Sequence, residues 1–256
     1  MGYPNIGIMA LRIYTSLFLL AVGSFLFGQG FSQLKYDYVW KVGYNSGAEN
    51  YGDSACTTID FNFNPPLFQK EYRNLNTHLT TASICDTVGN FLFYTNGRKI
   101  ENWANEIMEG GDTMVYDSVT AFYFGDYNEG RIVQGALVLP APSSDSRYYV
   151  IYKYAIFRPN NVVNKLQTNE CLFSLVDMEE NEGKGAVIEQ NVSMVYDSLH
   201  FGRLTACRHA NGRDWWLLLP KFQTNEFIRF LLTPAGIYLC VIRTSSGVST
   251  IKWAKI

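Results

Sequence analysis

Three aspartates follow apolar stretches that have the composition of β-strands: Asp60, Asp86 and Asp177. Carboxylates at strand ends could meet on one face of a β-protein and bind a cation, or divide the roles of general acid and base. An Asp that follows a strand more often accepts backbone N–H bonds in an Asx-turn. We therefore treat these residues as weak candidates for ligand binding and favour the turn role.

The stretch 202–219 holds a second group of polar side chains, between two apolar runs. The dipeptide Asn211-Gly212 favours a two-residue hairpin turn, because both central residues of such a turn need φ > 0. His209 could act as a base oriented by Asp214, but no nucleophile is near in sequence. We favour a structural role in which Asn211, Gly212 and Asp214 form the turn and Trp215 packs between sheets. His209 stays a weak candidate for ligand binding.

Motifs for metals, cofactors and catalysis are missing from the sequence. His200 and His209 have no third ligand at zinc-site spacing, and no two cysteines form a C-x-x-C pair. The chain has no G-x-S-x-G, H-E-x-x-H, phosphate-loop or dinucleotide fingerprint. We therefore predict no catalytic residue, no metal and no cofactor. Loops that are distant in sequence could still assemble an active site, which leaves the enzyme question open.

Short strands separated by turn residues must position these side chains. Period-two alternation and turn signals predict an all-β fold built of antiparallel hairpins. Strands are predicted at residues 36–42, 57–63, 83–86, 91–95, 132–139, 148–154, 172–177, 204–207, 215–219, 227–232 and 237–242. Residues 99–108 have helical spacing, so one or two helical turns are expected there and no helix elsewhere after the leader.

The first 32 residues have the pattern of an export signal. Arg12 supplies a positive charge, and the apolar run 17–27 is too short to span a bilayer comfortably. Small residues before Gln33 predict cleavage after Ser32, with a cut before Phe31 or an uncleaved membrane anchor as alternatives.

These signals divide the chain into a signal peptide, residues 1–32, and one domain, residues 33–256. We predict a protein that is secreted or held at the outer cell surface, with no transmembrane segment beyond the signal peptide.

Charge and cysteine content narrow the function classes. The 21 basic and 23 acidic residues give a net charge of −2 without a basic stripe, so nucleic acid is not an expected partner. All five cysteines follow the leader, where export would permit disulfides. Cys85 and Cys207 lie at similar places on predicted strand ends, and burial as small apolar side chains explains them at least as well as bonding.

Internal repetition suggests how the hairpins are arranged. The motif YDSV at residues 116–119 returns as YDSL at residues 196–199, and each precedes a strand pair. We expect units of about four short strands, three to four in number, which is typical of propeller blades. A β-sandwich or a jelly roll also spaces short strands by turns and is the alternative.

Five segments, in order, resemble a group of secreted Bacteroidetes proteins. They are TIDFNFNPP (58–66), ASICDTVGNFLFYTNG (82–97), VQGALVLPAP (133–142), LTACRHANGRDWWLL (204–218) and LLTPAGI (231–237). Those proteins carry an N-terminal β-propeller-like region and often end in a sorting domain for type IX secretion. The resemblance covers about residues 40–237 and implies a fold and an export route, but no activity.

The sequence departs from that group beyond residue 237. No further glycine-rich blades and no sorting domain follow, and a propeller ring usually needs four to eight blades. We therefore expect an incomplete, truncated propeller of three to four blades and a chain that is a fragment of a longer protein.

The leading functional hypothesis is a binding module for an extracellular protein or glycan, with loops at one end of the array as the binding surface. Exposed tyrosines such as Tyr123, Tyr127 or Tyr154 could stack on sugars. The alternative is a propeller-type hydrolase or lyase with carboxylates at the ring centre.

Overall fold

The computed structural model describes residues 34–43, 56–71, 73, 75–77, 79–112, 114, 130, 132–155, 168–245 and 248–256. The chain divides into Met1–Leu34 and a compact unit, Lys35–Ile256, which holds every element described below. Its strands are β1 Val39–Val42, β2 Thr57–Asp60, β3 Leu67–Lys70, β4 Ala82–Cys85, β5 Phe91–Thr95, β6 Ile100–Asn102, β7 Ala136–Pro140, β8 Arg147–Ala155, β9 Thr168–Asp177, β10 Ala186–Leu199, β11 Thr205–Arg208, β12 Trp215–Pro220, β13 Phe227–Thr233, β14 Gly236–Ser245 and β15 Val248–Lys255.

These strands form four sheets in which strands adjacent in sequence are neighbours in space. The first sheet is β1–β2–β3, the second β4–β5–β6, the third β7–β8–β9–β10, and the fourth β11 to β15. Every pairing between these strands is antiparallel. The all-β fold class predicted from alternation and turns is confirmed.

The third sheet lies between the second and the fourth because both of its faces are apolar. Alternate side chains of a strand point to opposite faces, so Val150 and Ile151 of β8 enter different cores. Val150 packs with Ile84 and Phe93 of the second sheet, whereas Ile151 packs with Leu217 of the fourth. All five side chains are at most 4% exposed, and burying apolar surface on this scale is the main favourable contribution to folding.

The segments that immediately precede the first strands of these three sheets are in contact with one another. The Thr80 hydroxyl, just before β4, donates to the Ile132 carbonyl at 2.7 Å and accepts from the Ile132 N–H at 3.1 Å. A Cβ added to Gly202, just before β11, would lie 2.6 Å from the Val133 carbonyl oxygen. The first strands of sheets two, three and four therefore begin at neighbouring points.

The first sheet is joined to the second in a different way. Backbone bonds connect Lys35 N–H to the Thr87 carbonyl and Cys85 N–H to the Tyr36 carbonyl. The Ser83 hydroxyl donates to the Val39 carbonyl at 2.9 Å. Residue numbers rise along one segment as they fall along the other, so β1 runs antiparallel to β4.

The helix expected within residues 99–108 is wrong. Ile100–Asn102 form β6, paired with β5. The Asn102 side-chain oxygen then accepts the N–H groups of Ala104 at 2.9 Å and Glu106 at 3.2 Å. An Asn side chain that bonds the following backbone amides favours a turn over a helix. The described residues contain one short 3₁₀ turn instead, at Asn181–Gly183.

Several expectations about element number are also corrected. The units hold three, three, four and five strands rather than about four each. The strands β3, β6, β10 and β15 were not predicted. None of the five cysteines, all of which lie in the described part of the chain, forms a disulfide, and Cys207 is exposed, so burial does not explain its position.

Candidate functional site

Two of the candidate aspartates accept hydrogen bonds from residues of the turns that follow them. Asp60 Oδ1 accepts the Asn62 backbone N–H at 2.8 Å and its side-chain amide at 2.9 Å. The Asp86 carboxylate accepts the backbone N–H of Asn90 at 2.9 Å and its side-chain amide at 2.7 Å. The Asn62 amide also donates to the Gly89 carbonyl at 2.9 Å, which links the two turns.

The third candidate, Asp177, is bound within the third sheet. It is 4% exposed, accepts from Arg147 Nε at 2.8 Å and accepts the Glu179 backbone N–H at 3.1 Å. Burial acts to raise the pKa of Asp177, but these hydrogen bonds outweigh it and hold the pKa below its ordinary value. Each of the three carboxylates thus serves a local turn or ion pair.

The loop around His209 is closed by backbone bonds between His209 and Asp214. His209 N–H donates to the Asp214 carbonyl at 2.8 Å, and Gly212 N–H donates to the His209 carbonyl at 2.9 Å. Gly212 has φ of 72°, as the sequence predicted, but Asn211 is not in the positive-φ region. The predicted two-residue turn is therefore wrong: Ala210 to Arg213 form a four-residue loop.

The polar side chains of this loop form hydrogen bonds with other residues of the same loop. His209 Nδ1 accepts the Asn211 N–H at 3.1 Å, and its ring packs on Trp216 with centroids 5.4 Å apart. Asp214 accepts from Arg213 Nε at 2.7 Å and from the Asn211 amide at 2.8 Å. The Arg213 bond lowers the pKa of Asp214 despite burial. The Asp214 carboxylate bonds Asn211 and Arg213, and no bond joins it to the His209 ring in the described structure.

An exposed arginine beside this loop lies between two aromatic rings. The Arg208 guanidinium is 4.9 Å from the Trp215 ring centroid and 5.9 Å from that of Tyr36. Trp215 is half-buried and packs on the fourth-sheet core. Because Tyr36 precedes β1 and Arg208 ends β11, this contact joins the first and fourth sheets.

A row of apolar side chains crosses the outward face of the first sheet. The register pairs Trp40 with Ile59 and Ile59 with Phe68, so the three side chains lie on one face. Trp40 is 44% exposed and Phe68 66% exposed. We call Trp40, Ile59, Phe61 and Phe68 the aromatic face, since Phe61 packs edge-on against Trp40 with centroids 5.1 Å apart.

The Trp40 ring is fixed in orientation by its surroundings. Its indole N–H donates to the Asp37 carbonyl at 2.8 Å, and Phe61 supports its edge. A large aromatic side chain held in one rotamer loses little conformational entropy when a ligand covers it. Trp40 is therefore preorganised for contact.

The opposite face of the first sheet packs on the second sheet through buried charges. Lys41 Nζ lies 2.6 Å from Glu71 Oε1, and the Arg73 guanidinium stacks 5.4 Å from the Tyr94 ring centroid. The Tyr94 hydroxyl donates to Glu101 Oε2. Lys41, Arg73, Tyr94 and Glu101 are all at most 5% exposed. We call Lys41, Glu71, Arg73, Tyr94 and Glu101 the ionic interface.

Burial shifts the pKa values of two residues of this interface. It lowers the pKa of Lys41 against the opposing effect of Glu71. It raises the pKa of Glu101, against Tyr94 and Arg73. Sequence reasoning missed these residues because charged side chains usually indicate solvent.

The tyrosines that the sequence suggested for sugar stacking differ in where they lie. Tyr154 is half-buried on β8 beside a small cavity that Thr80 and Lys153 also line, and Tyr123 and Tyr127 lie outside the described residues. Within the part of the chain that the structure describes, no three His, Cys, Asp or Glu side chains form a group that could hold a metal ion. The same residues include no helix long and apolar enough to cross a membrane.

Comparison with known proteins identifies no protein that is similar to this chain. No family model matches this chain, and neither a curated protein nor a solved structure gives a significant match to it.

Proposed function

We propose that the protein is a secreted or cell-surface binding module that holds an extracellular protein or glycan on its aromatic face. The observation that carries this proposal is the row of Trp40, Ile59 and Phe68 across three strands, in which Trp40 and Phe68 are exposed. Contiguous exposed apolar side chains on a β-sheet are typical of interaction surfaces. Trp is also the residue type most enriched among those that dominate binding energy.

The arrangement of the sheets supports a propeller-like scaffold for this module. The second, third and fourth sheets stack face to face, and their first strands begin at neighbouring points. Blades repeated around an axis have both properties. The first sheet departs from a strict repeat because β1 runs antiparallel to β4. We infer an incomplete propeller whose first sheet presents the binding face.

The hydrolase or lyase alternative receives less support. That hypothesis requires two carboxylates to act together at an open site. Asp60, Asp86 and Asp177 are instead committed to the turn and ion-pair bonds given above.

The test uses a matched pair of phenylalanines. Phe68 and Phe227 are both 66% exposed and both lie on strands, but only Phe68 belongs to the aromatic face. Labelled chains would be applied to a printed array of microbial, plant and animal polysaccharides and extracellular matrix proteins. The wild type, Trp40→Ala, Phe68→Ser and Phe227→Ser variants are compared, with circular dichroism as the folding control.

We expect the wild type and Phe227→Ser to retain the same ligands. Trp40→Ala and Phe68→Ser should each bind about tenfold or more weakly, since truncating a central aromatic anchor commonly costs over 1–2 kcal/mol. Equal binding by all four chains, or no binding to any array component, would contradict the proposal.

A further inference from the structure

The geometry of the aromatic face points to a particular class of ligand, and this inference rests on the proposed function. We propose that the face takes a neutral, extended β-linked glycan of the cellulose or chitin type, which lies across the three strands. Alternate sugars of this chain stack on Trp40 and Phe68.

The spacing of the two aromatic residues fits alternate sugars of such a chain. The row runs perpendicular to the strands, and neighbouring strands are about 4.8 Å apart, so the positions of Trp40 and Phe68 are about 10 Å apart. One pyranose of an extended β-linked chain advances by about one strand spacing, and each sugar is turned over relative to the one before it. Alternate sugars therefore share one orientation and have about the separation of the two aromatic residues.

The residue between the two rings leaves room for the sugar between the two stacked ones. Ile59 is half-buried, whereas Trp40 and Phe68 are exposed on either side of it. A stiff, straight chain can contact both exposed rings at once. A chain that curves between these points would reach only one of them, so the row favours an extended glycan.

The surface of the rings suits a sugar. The Trp40 N–H is already bonded to the Asp37 carbonyl, so the ring offers its apolar face to a ligand. Amphipathic aromatic rings favour partners that combine an apolar surface with polar edges. A pyranose presents axial C–H groups on its face and hydroxyls around its edge, which leaves the hydroxyls in water.

Two opposite charges at the turn that follows β2 are linked by one amide. Lys35 Nζ donates to Asn62 Oδ1 at 3.2 Å, and the amide of the same asparagine donates to Asp60 Oδ1 at 2.9 Å. A charged polymer gains little here, because attraction to one of these charges is opposed by repulsion from the other. The charges of the ionic interface lie on the opposite face of the sheet and do not meet this ligand.

Two further charged residues, one of each sign, lie beside the row. Asp37 is exposed next to Trp40, and Lys70 follows Phe68 at the next outward position of β3. Lys70 already has an interaction partner. The Asp37 carboxylate disfavours a polyanion but can accept hydrogen bonds from hydroxyls. The charges around the aromatic face therefore favour a neutral ligand that is rich in hydroxyls.

The experiment varies the shape and the charge of the glycan separately. Cellohexaose and maltohexaose are neutral hexamers of the same sugar, but the β-linkages of the first give an extended chain and the α-linkages of the second a curved one. Chitohexaose is a second extended neutral chain, and the cellouronate hexamer adds carboxylates to the cellohexaose backbone. Calorimetry measures the binding of each to the full chain at low and at physiological salt.

The variants separate an aromatic ring from a merely apolar side chain. Phe68→Tyr keeps the ring, whereas Phe68→Leu keeps only an apolar group of similar size. Trp40→Ala removes the other ring. Phe227→Leu is the matched control, because Phe227 is as exposed as Phe68 but lies on the fourth sheet.

We expect cellohexaose or chitohexaose to bind about tenfold or more tightly than maltohexaose, which can reach only one ring. The cellouronate hexamer should bind no more tightly than cellohexaose at either salt concentration. Phe68→Leu should weaken binding about threefold to tenfold and Trp40→Ala about tenfold or more. Phe68→Tyr and Phe227→Leu should retain the affinity of the wild type.

Other outcomes separate this inference from the proposed function. Equal affinity for cellohexaose and maltohexaose, or equal affinity of the Leu and Tyr variants of Phe68, would overturn stacking of an extended chain. Tighter binding of the cellouronate hexamer that is lost with added salt would overturn the neutral class. A protein ligand on the array that Trp40→Ala loses, with no hexamer bound, would overturn the glycan and keep the binding face. If no hexamer binds, the inference fails, and the array experiment then decides the fate of the aromatic face.

Discussion

Gly212 is a position where the backbone alone decides which residue fits. Its φ of 72° lies in the left-handed region, and an added Cβ would meet no atom within 4 Å. We expect Gly212→Val to lower the free energy of unfolding by about 1–2 kcal/mol, the cost of left-handed backbone for an L-residue. Gly212→Asn should cost less, because Asn tolerates this conformation. Urea unfolding midpoints measure both, and equal losses for Val and Asn would show that the loop, not φ, controls stability.

Lys153 is a buried cation without a carboxylate partner among the described residues. It is 5% exposed, and its ammonium donates to the carbonyls of His200, at 3.0 Å, and Gly202. Burial lowers the pKa of Lys153 to about 8, whereas an unfolded chain has a Lys pKa of about 10.4. The neighbouring Cys171 stays a thiol in this range, since burial raises its pKa to about 12.

The sign of the resulting pH dependence follows from proton binding. Between pH 8 and about 10.4 the unfolded chain holds the Lys153 proton and the folded chain has released it, so stability rises with pH. The stability of the wild type relative to Lys153→Met should increase by up to roughly 3 kcal/mol between pH 7 and 10.5. Urea unfolding across this range measures the difference. Parallel pH profiles would mean that Lys153 keeps its proton in the folded state.

At the scale of elements, one hydroxyl joins two sheets. Thr80 is 1% exposed, and its hydroxyl satisfies both the N–H and the carbonyl of Ile132. Thr80→Val keeps the shape and leaves these buried groups without that partner, which should cost about 1–3 kcal/mol. Thr80→Ser keeps the hydroxyl and should cost less. Thermal unfolding of the two variants distinguishes them, and a Val variant as stable as the Ser variant would refute the role of the hydroxyl.

The sequence predicted those elements whose alternation or turns are strong. The hairpins β4–β5, β7–β8 and β11–β12 lie where alternation and turn residues place them. β3 was missed because all four of its residues are exposed, so it has no buried side to alternate with. β10 was missed because four register shifts along its length break the period of two.

The aromatic face could not be predicted for a related reason. Alternation placed Trp40 in a strand but does not say which face of the sheet meets solvent. Phe68 is far from Trp40 in sequence, and only the pairing of both strands with β2 brings the two residues into one row. The ionic interface could not be predicted either, because charged side chains are buried only where they are paired, and the sequence does not show which residues pair.

At the scale of the whole molecule, export is the first property to measure. The basic residue Arg12, the short apolar run and the small residues before Gln33 predict a cleaved leader. Mass spectrometry of secreted protein should find Gln33 or Phe31 at the N-terminus. Recovery of the chain from the cytosol with Met1 intact would contradict export.

The two kinds of inter-sheet contact predict that the sheets differ in stability. The third sheet is held on both faces by apolar cores, in which Val150, Ile151 and Leu217 are fully buried. The first sheet is held to the second by a few hydrogen bonds and by the ionic interface, where attraction between ions is largely offset by the cost of removing them from water. Sheets held by fewer apolar contacts open at lower free energy.

We therefore expect the first sheet to open before the others do. In native-state hydrogen exchange, amides of β1 and β2 should exchange at lower opening free energy than those of β8, β9 and β12.

Two variants, Arg73→Met and Leu217→Ala, test the ionic interface and the apolar core separately. Leu217→Ala should lower protection throughout the third and fourth sheets by about 2–5 kcal/mol, because it leaves a cavity in their shared core. Arg73→Met should lower protection chiefly in β1 and β2, because it removes the Arg73 bonds to the carbonyls of Val42 in β1 and Thr57 in β2 and its ion pair with Glu71. If β1 and β2 are as protected as β12 in the wild type, the ionic interface is as strong as the apolar cores, and the inequality drawn from burial is wrong.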